Sequence, residues 1–321
     1  MQTRERLHIP AHIPVVLARV AAYDAEAARA VGGLLDQIAL PVRPGDRVLV
    51  KPNLLRADAL TCTNALVVAA ACAYLRDKGC RVVVGDSPGF GTAKGIAKHI
   101  GLDEALAEAG CGEIPVISLD SPVRKPLSLG GGIGLSRHAL EADHILSIPR
   151  LKAHIQMRVT CAVKNLFGCV SGVRKALAHG KHGDKEQDGA RVFPSLVADI
   201  AGHLPPVSAL LDAVLAMHVR GPSGGRPFAA SLLAASPSPV ALDTAVYTLL
   251  GLSPEAVPLW RELQRRRVPG AFAQEVAFAG DAAEAFDFSG FIVPAALMPE
   301  SFSPARLLAS TARRLLARIR S

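Results

Sequence analysis

Aromatic side chains are scarce in this chain, at 4% of 321 residues, while half of the residues are hydrophobic. The core must therefore be built from Ala, Val, Leu and Ile, which suits helices packed over a parallel sheet better than an all-β sandwich. Long uncharged apolar runs are also missing. The nearest approach, residues 207–219, carries Asp212 and follows Pro205 and Pro206, so no transmembrane helix is expected. The amino terminus is charged and its first apolar run is broken by Arg19, which is not the pattern of a signal peptide. A cytoplasmic protein is the expectation.

Paired cysteine spacings are absent too. Cys62, Cys72, Cys80, Cys111, Cys161 and Cys169 include no C-x-x-C, so neither a zinc ribbon nor a ferredoxin-type cluster is supported, and no intrinsic iron–sulfur cluster is expected. They read as small buried apolar residues. Acid is missing from one further place. Residues 149–182 contain seven Lys/Arg and three His but no Asp or Glu, and residues 303–321 contain five Arg and no acid. The formal net charge of +8 is therefore local, not a coat for nucleic acid.

What is present alternates between short β-branched runs and helical stretches. A strand is expected at residues 15–20, a helix at 24–38, a strand at 47–51, a helix at 64–78 capped by Thr63 and ended by Gly79, and a strand at 81–85. That order implies right-handed crossovers and a mostly parallel sheet. Residues 127–136, with three consecutive glycines, read as a loop or hairpin. Further along, a helix is expected at 193–203, a strand at 207–211 ending at Asp212, a Gly/Pro turn at 221–225 and a helix from Ser238 to Leu250. The fold class is α/β: a mostly parallel sheet flanked by helices over residues 13–253. A helical extension over 254–321 follows, ending in a basic amphipathic helix.

Ligands in such sheets bind beyond the carboxyl ends of the strands. Three segments fall there: Lys51-Pro-Asn53, Asp86-Ser-Pro-Gly89 and Pro149-Arg-Leu-Lys-Ala-His154. Lys152, His154, Lys164, Lys175 and His179 form the main constellation, whose charge calls for an external anion or a distant carboxylate. A solvated basic face is the bland alternative. Lys51 and Asn53 sit where a strand stops, as ligand binders or as turn residues. Asn165 and Gly168 mark a tight turn or a helix C-cap. Asp86 is a metal ligand, a general base, a counter-charge for Lys152 or Lys164, or a helix cap. Asp212 and Asp243 are acids in apolar surroundings that demand partners, either in the basic segment or in the backbone. His179 and His182 lie three residues apart, a spacing that with His154 and an Asp would suit a metal.

Taken in order, these segments resemble the domain-of-unknown-function 362 family. The resemblance runs from about Val48 to Leu250 and is most specific at Val159-Thr-Cys-Ala-Val-Lys-Asn-Leu-Phe-Gly168 followed by Lys175 and His179. It implies an α/β fold and a site made from these segments. Some members carry an attached four-iron ferredoxin module, whose cysteine run does not occur in this sequence. Where the family has an acidic residue before its Gly-Pro turn, His218-Val-Arg-Gly221 stands here.

The leading expectation is an enzyme, isomerase- or reductase-like, that binds a small metabolite bearing phosphate or carboxylate. Lys51, Asn53, Lys152, Lys164, Asn165 and Lys175 would bind it, His154 or His179 would transfer a proton, and Asp86 or Asp243 would orient that histidine. An acidic redox partner would suit the basic surface. A metal-binding protein using His154 and His179 is the alternative. A nucleic-acid or anionic-membrane module ranks third, because few aromatics are available for stacking.

Overall fold

The computed structural model of the chain describes residues 12–89, 91–171, 186–187 and 190–298. In chain order the elements are β1 (Ile13–Arg19), α1 (Ala25–Gln37), β2 (Arg47–Pro52), α2 (Ala65–Asp77), β3 (Arg81–Asp86), α3 (Ala93–His99), α4 (Leu102–Glu108) and β4 (Val116–Ser118). Next come β5 (Pro122–Pro126), β6 (Gly132–Ser136), α5 (Arg137–Leu140), β7 (His144–Ile148), β8 (Arg150–His154), β9 (Arg158–Thr160) and α6 (Ala162–Asn165). The chain continues through β10 (Glu186–Gln187), β11 (Ala190–Arg191), α7 (Val192–His203), β12 (Val207–His218), β13 (Arg226–Ser236), α8 (Pro239–Leu249), α9 (Pro258–Arg265) and β14 (Val276–Gly280).

The main sheet has the order β14-β1-β13-β12-β7-β2-β3-β4, with β8 attached to β12 and β9 to β8. Six of its pairings are parallel; β13 runs antiparallel to both neighbours, and β9 antiparallel to β8. The sheet is thus mixed and mostly parallel, flanked by helices. Alternation along the strands separates its two faces. Val48, Val50, Leu146 and Ile148 face a core shared with α1, α2 and α4. Leu49 and Ile145 face the opposite core, with Phe193, Leu196 and Val197 of α7. Farther along that side, Leu211, Leu232 and Ala234 pack on Ala241, Leu242 and Ala245 of α8.

Several local expectations are met for the reasons that motivated them. The helix expected at 24–38 is α1, which Asp24, not singled out as a cap in the sequence, caps by accepting from the backbone of Glu26 and Ala27. Gly79 ends α2 at φ +76°, a conformation open to residues without a Cβ. Residues 127–136 lie in the β5–β6 hairpin. Others are corrected. Asn64, not Thr63, caps α2; the Thr63 hydroxyl instead donates to Ile148 O (2.6 Å) and accepts from Asn53 N–H (2.8 Å). The strand expected to stop at Asp212 runs on to His218, because Asp212 is held inside the fold by Arg150 and Tyr23. Residues 150–154 are not a strand exit but the strand β8 itself. Beyond Pro254 the chain forms α9 and then returns to the sheet as β14, parallel to β1. The expected basic helix at the carboxyl end, together with Lys175, His179 and His182, lies outside the described residues.

Candidate functional site

Strand order locates the site. From β2 the chain steps through β3 to β4 on one side, and β7 then returns to the other side of β2 and leads on to β12. The carboxyl ends of β2 and β7 therefore flank a topological switch point, where the loops part and leave room for a ligand. Lys51, Asn53, Asp86, Ser147 and Arg150 all stand at this end of the strands.

Lys51 and Asn165 form the centre of a rigid frame. The Lys51 ammonium donates to Asp86 Oδ1 (2.8 Å), Asn165 Oδ1 (2.8 Å) and Pro52 O (2.9 Å), which uses its three hydrogens. Asn165 is saturated as well. Its Nδ2 donates to Lys51 O (2.7 Å) and Ser147 Oγ (3.0 Å), and its Oδ1 also accepts from Asn53 Nδ2 (2.7 Å). Asn53 Oδ1 accepts from Arg150 N–H (2.9 Å), tying β2 to the start of β8. Asp86 also accepts from Leu54 N–H (2.7 Å) and Ser87 N–H (2.8 Å). Lys51 and Asn165, expected from the sequence to bind a ligand, spend their hydrogen-bonding capacity among the described residues on holding the site together. Asp86, for which a metal ligand, a general base, a counter-charge and a helix cap were the alternatives, pairs with Lys51.

Gly168 is not a helix C-cap. It sits in the turn Leu166–Cys169, and a Cβ at this position would overlap Asp86 Oδ1 and the end of Lys51. Glycine lets the turn close directly over the ion pair, and its carbonyl accepts from Ser87 N–H (3.1 Å).

A second buried pair lies beside the first. Arg150 Nη2 meets Asp212 Oδ2 at 3.0 Å, and its other guanidinium nitrogens donate to Cys62 O and Leu215 O. Tyr23 OH (2.6 Å) and Asn64 N–H (2.8 Å) complete the Asp212 carboxylate. The expected meeting of Asp212 with the basic segment is what forms here. Arg150 was not singled out in the sequence, although Arg150-Leu-Lys-Ala-His154 carries a signal of period two. On β8 its polar members share one face, while Leu151 and Ala153 enter the apolar core on the other.

Lys152 and His154 follow Arg150 on that face. Both are buried. Lys152 Nζ donates to Thr61 O (2.8 Å), its only acceptor among the described residues, and no carboxylate of those residues lies within ion-pair distance. Burial, with Arg150 and Lys51 acting in the same direction, lowers its pKa to about 8 against the opposing pull of Cys62 and Asp86. Burial and the nearby ammonium groups of Lys164 and Lys152 hold His154 well below the usual imidazole range, so it is neutral at pH 7. Its Nδ1 accepts from the backbone N–H groups of Gln156 (3.0 Å) and Met157 (3.2 Å). Lys164, on α6, lies over the rings of Phe167 (4.4 Å) and Phe193 (5.1 Å).

Among the described residues, Asp243 bonds to backbone amides and a tyrosine and not to a histidine. Its oxygens accept from the N–H groups of Ala162 (2.6 Å) and Val163 (3.1 Å) at the start of α6, and from Tyr247 OH (3.3 Å). Burial raises its pKa to about 7 despite these bonds and one from Cys161. The amides at the start of α6 reach both of its oxygens. Among the described residues, no three His, Cys, Asp or Glu side chains are arranged to hold a metal. His218, where the family resemblance leads one to expect an acid, packs at a tilt against the rings of Phe228 and Phe291.

Against this geometry, the family model described as Domain of unknown function (DUF362) matches residues 48–248. The chain belongs to that family. DUF362 segments thus supply the whole frame from β2 to α8. A thylakoid-associated protein of Synechocystis is 34% identical over 274 residues, covering 84% of this chain and 83% of that protein. The lactate racemase apoprotein of Thermoanaerobacterium thermosaccharolyticum is a distant structural neighbour, with 12% identity, a TM-score of 0.43 and coverage of 71% of this chain. A Thermotoga maritima protein matches at 13% identity and a TM-score of 0.37 over 60% of the chain. This chain spans about half the length of those two solved structures, at 55% and 50%. No helix among the described residues is long and apolar enough to cross a membrane.

Proposed function

We propose that this DUF362 protein is an enzyme that binds a small metabolite through a carboxylate or phosphate group and isomerises it. The binding place is the carboxyl edge of β2, β3 and β7. The observation that carries the reading is Lys152: a buried ammonium that uses one hydrogen on Thr61 O and has no acceptor for the other two among the described residues. Lys51 and Arg150 are neutralised by Asp86 and Asp212, so the charge that awaits a partner there is that of Lys152. A buried ammonium without a counterion is costly, and an anionic ligand removes that cost. Lys164 adds positive charge at the same place, and Lys152 and His154 are groups that carry protons. Six free thiols suit a reducing cytoplasm.

Calorimetric titration of the full chain with inorganic phosphate, acetate and malonate tests the reading. At least one of these anions is expected to bind saturably, and Lys164→Met is expected to weaken that binding by roughly tenfold or more. Equal affinity of parent and variant for every anion that binds would end the proposal.

A further inference from the structure

The short strand β9 brings one further polar group to Lys152. Val159 pairs with Ala153 and both enter the apolar core. Alternation therefore turns Thr160, the cross-strand partner of Lys152, to the same face as the ammonium. Both residues are buried, Lys152 at 3% exposure and Thr160 at 8%. Lys152 Nζ gives one hydrogen to Thr61 O. The Thr160 hydroxyl makes no hydrogen bond among the described residues, to Lys152 or to any other group. Among those residues, the enclosed side-chain atoms without a partner are the hydroxyls of Ser136 and Thr244, so the Thr160 oxygen is not sealed off. On the other side of Lys152 its partner on β12 is Met217, whose thioether has no hydrogen to donate. A charged donor and a neutral one thus stand side by side, on the β8–β9 side of the site.

Resting on the proposed anion site, we infer that Thr160 is a ligand-binding residue that sets specificity: its hydroxyl donates to one oxygen of a carboxylate whose other oxygen is held by the Lys152 ammonium. The ligand class is a small carboxylate, taken in preference to a phosphate. A carboxylate presents two oxygens in one plane and a single negative charge. One ammonium and one neighbouring hydroxyl match it, since directly opposed residues of an antiparallel pair carry their Cβ atoms about 4.5–5.5 Å apart. A phosphate brings a third terminal oxygen and a second charge near neutral pH, which this pair of donors leaves unanswered. An oxygen taken out of water without a donor is costly. The two side chains also divide the work. An ammonium on a flexible stem attracts an anion with little directional demand. A threonine hydroxyl sits on a branched side chain with few rotamers, so it fixes how the carboxylate lies. Lys152 serves throughout as the cation and transfers no proton.

The test needs no known substrate. The full chain is titrated calorimetrically with acetate and with inorganic phosphate, as the parent, as Thr160→Val and as Thr160→Ser. Valine keeps the branched shape and strand preference of threonine and puts a methyl group in place of the hydroxyl. Urea midpoints show that the variants are folded, and Thr160→Ala stands in for Thr160→Val should the latter not fold. The parent is expected to bind acetate more tightly than phosphate. Thr160→Val is expected to bind acetate about tenfold more weakly, the usual loss when a hydrogen bond to a charged group is removed. Thr160→Ser, which retains the hydroxyl, is expected to stay within about threefold of the parent. Acetate affinity that is unchanged in Thr160→Val, or that falls equally in Thr160→Val and Thr160→Ser, would overturn the role of Thr160 and leave the anion site standing. Tighter binding of phosphate than of acetate by the parent would overturn the ligand class. A parent that binds neither anion takes the anion site down, and the role of Thr160 with it.

Discussion

A methyl group on residue 168 would occupy the space of the Asp86 carboxylate and the Lys51 ammonium. Gly168→Ala is therefore expected to push the turn away from the ion pair and to cost about 1–3 kcal/mol, the usual range for overpacking a tight interior. Urea unfolding reads this directly, and an unchanged midpoint would show that the turn has room to move. The cause is spatial and not conformational, since Gly168 does not adopt a positive φ. Sequence inspection marks the glycine but not the reason for it. The atoms it must avoid belong to residues more than eighty positions away, on β2 and β3. Lys51 and Asn165 show the same limit. Their types suggest ligand contact, and only the hydrogen bonds among the described residues reveal how much of their capacity the frame takes up.

Among the elements, α7 and α9 are joined by a network that the sequence does not announce. Glu262 accepts from Ser195 Oγ (2.8 Å), Arg265 Nε (2.8 Å) and Arg266 Nε (2.6 Å), and Arg266 also reaches Asp199 (2.6 Å). Burial alone would raise the Glu262 pKa, but the hydrogen bonds from Arg265, Arg266 and Ser195 outweigh it and bring the value down to about 2. Because the folded value lies below the ordinary carboxylate value, the stabilisation is complete above about pH 4.5 and is lost as pH falls through about 2. Glu262→Gln is expected to cost roughly 3 kcal/mol at neutral pH, as when one partner of a buried pair is removed. The gap to the parent should close on acidification, measured as denaturant midpoints across an acid series. A pH-independent gap would rule out the ion pairs as its origin. On β8, by contrast, the arrangement is legible. The alternation in Arg150-Leu-Lys-Ala-His154 sends cations to one face and Leu151 and Ala153 to the other, which only a strand does.

For the molecule as a whole, the acid held at the middle of the fold sets part of the pH response. Asp243 is fully buried at the start of α6, and burial lifts its pKa to about 7. A carboxyl whose folded pKa exceeds its unfolded value stabilises fully below about pH 4. That contribution fades as pH rises through about 7. Over this window the folding free energy should decline by up to about 1.4 kcal/mol per pH unit from this group. Asp243→Asn is expected to flatten that decline in thermal or urea unfolding from pH 4 to 8. The same slope in parent and variant would place its origin elsewhere.

Composition and periodicity by themselves determined the α/β class, the alternation of strands and helices, and the concentration of cations in one segment, because these depend on neighbours along the chain. The order of the strands, the switch point between β2 and β7, and the acceptors that each described basic residue meets were decided only by the tertiary structure. A lysine's hydrogen-bonding capacity is spent on whatever atoms folding brings to it, and for Lys51 and Lys152 those atoms come from segments tens of residues away. Residue type states what a side chain is able to bind; the packed chain decides what remains for it to bind.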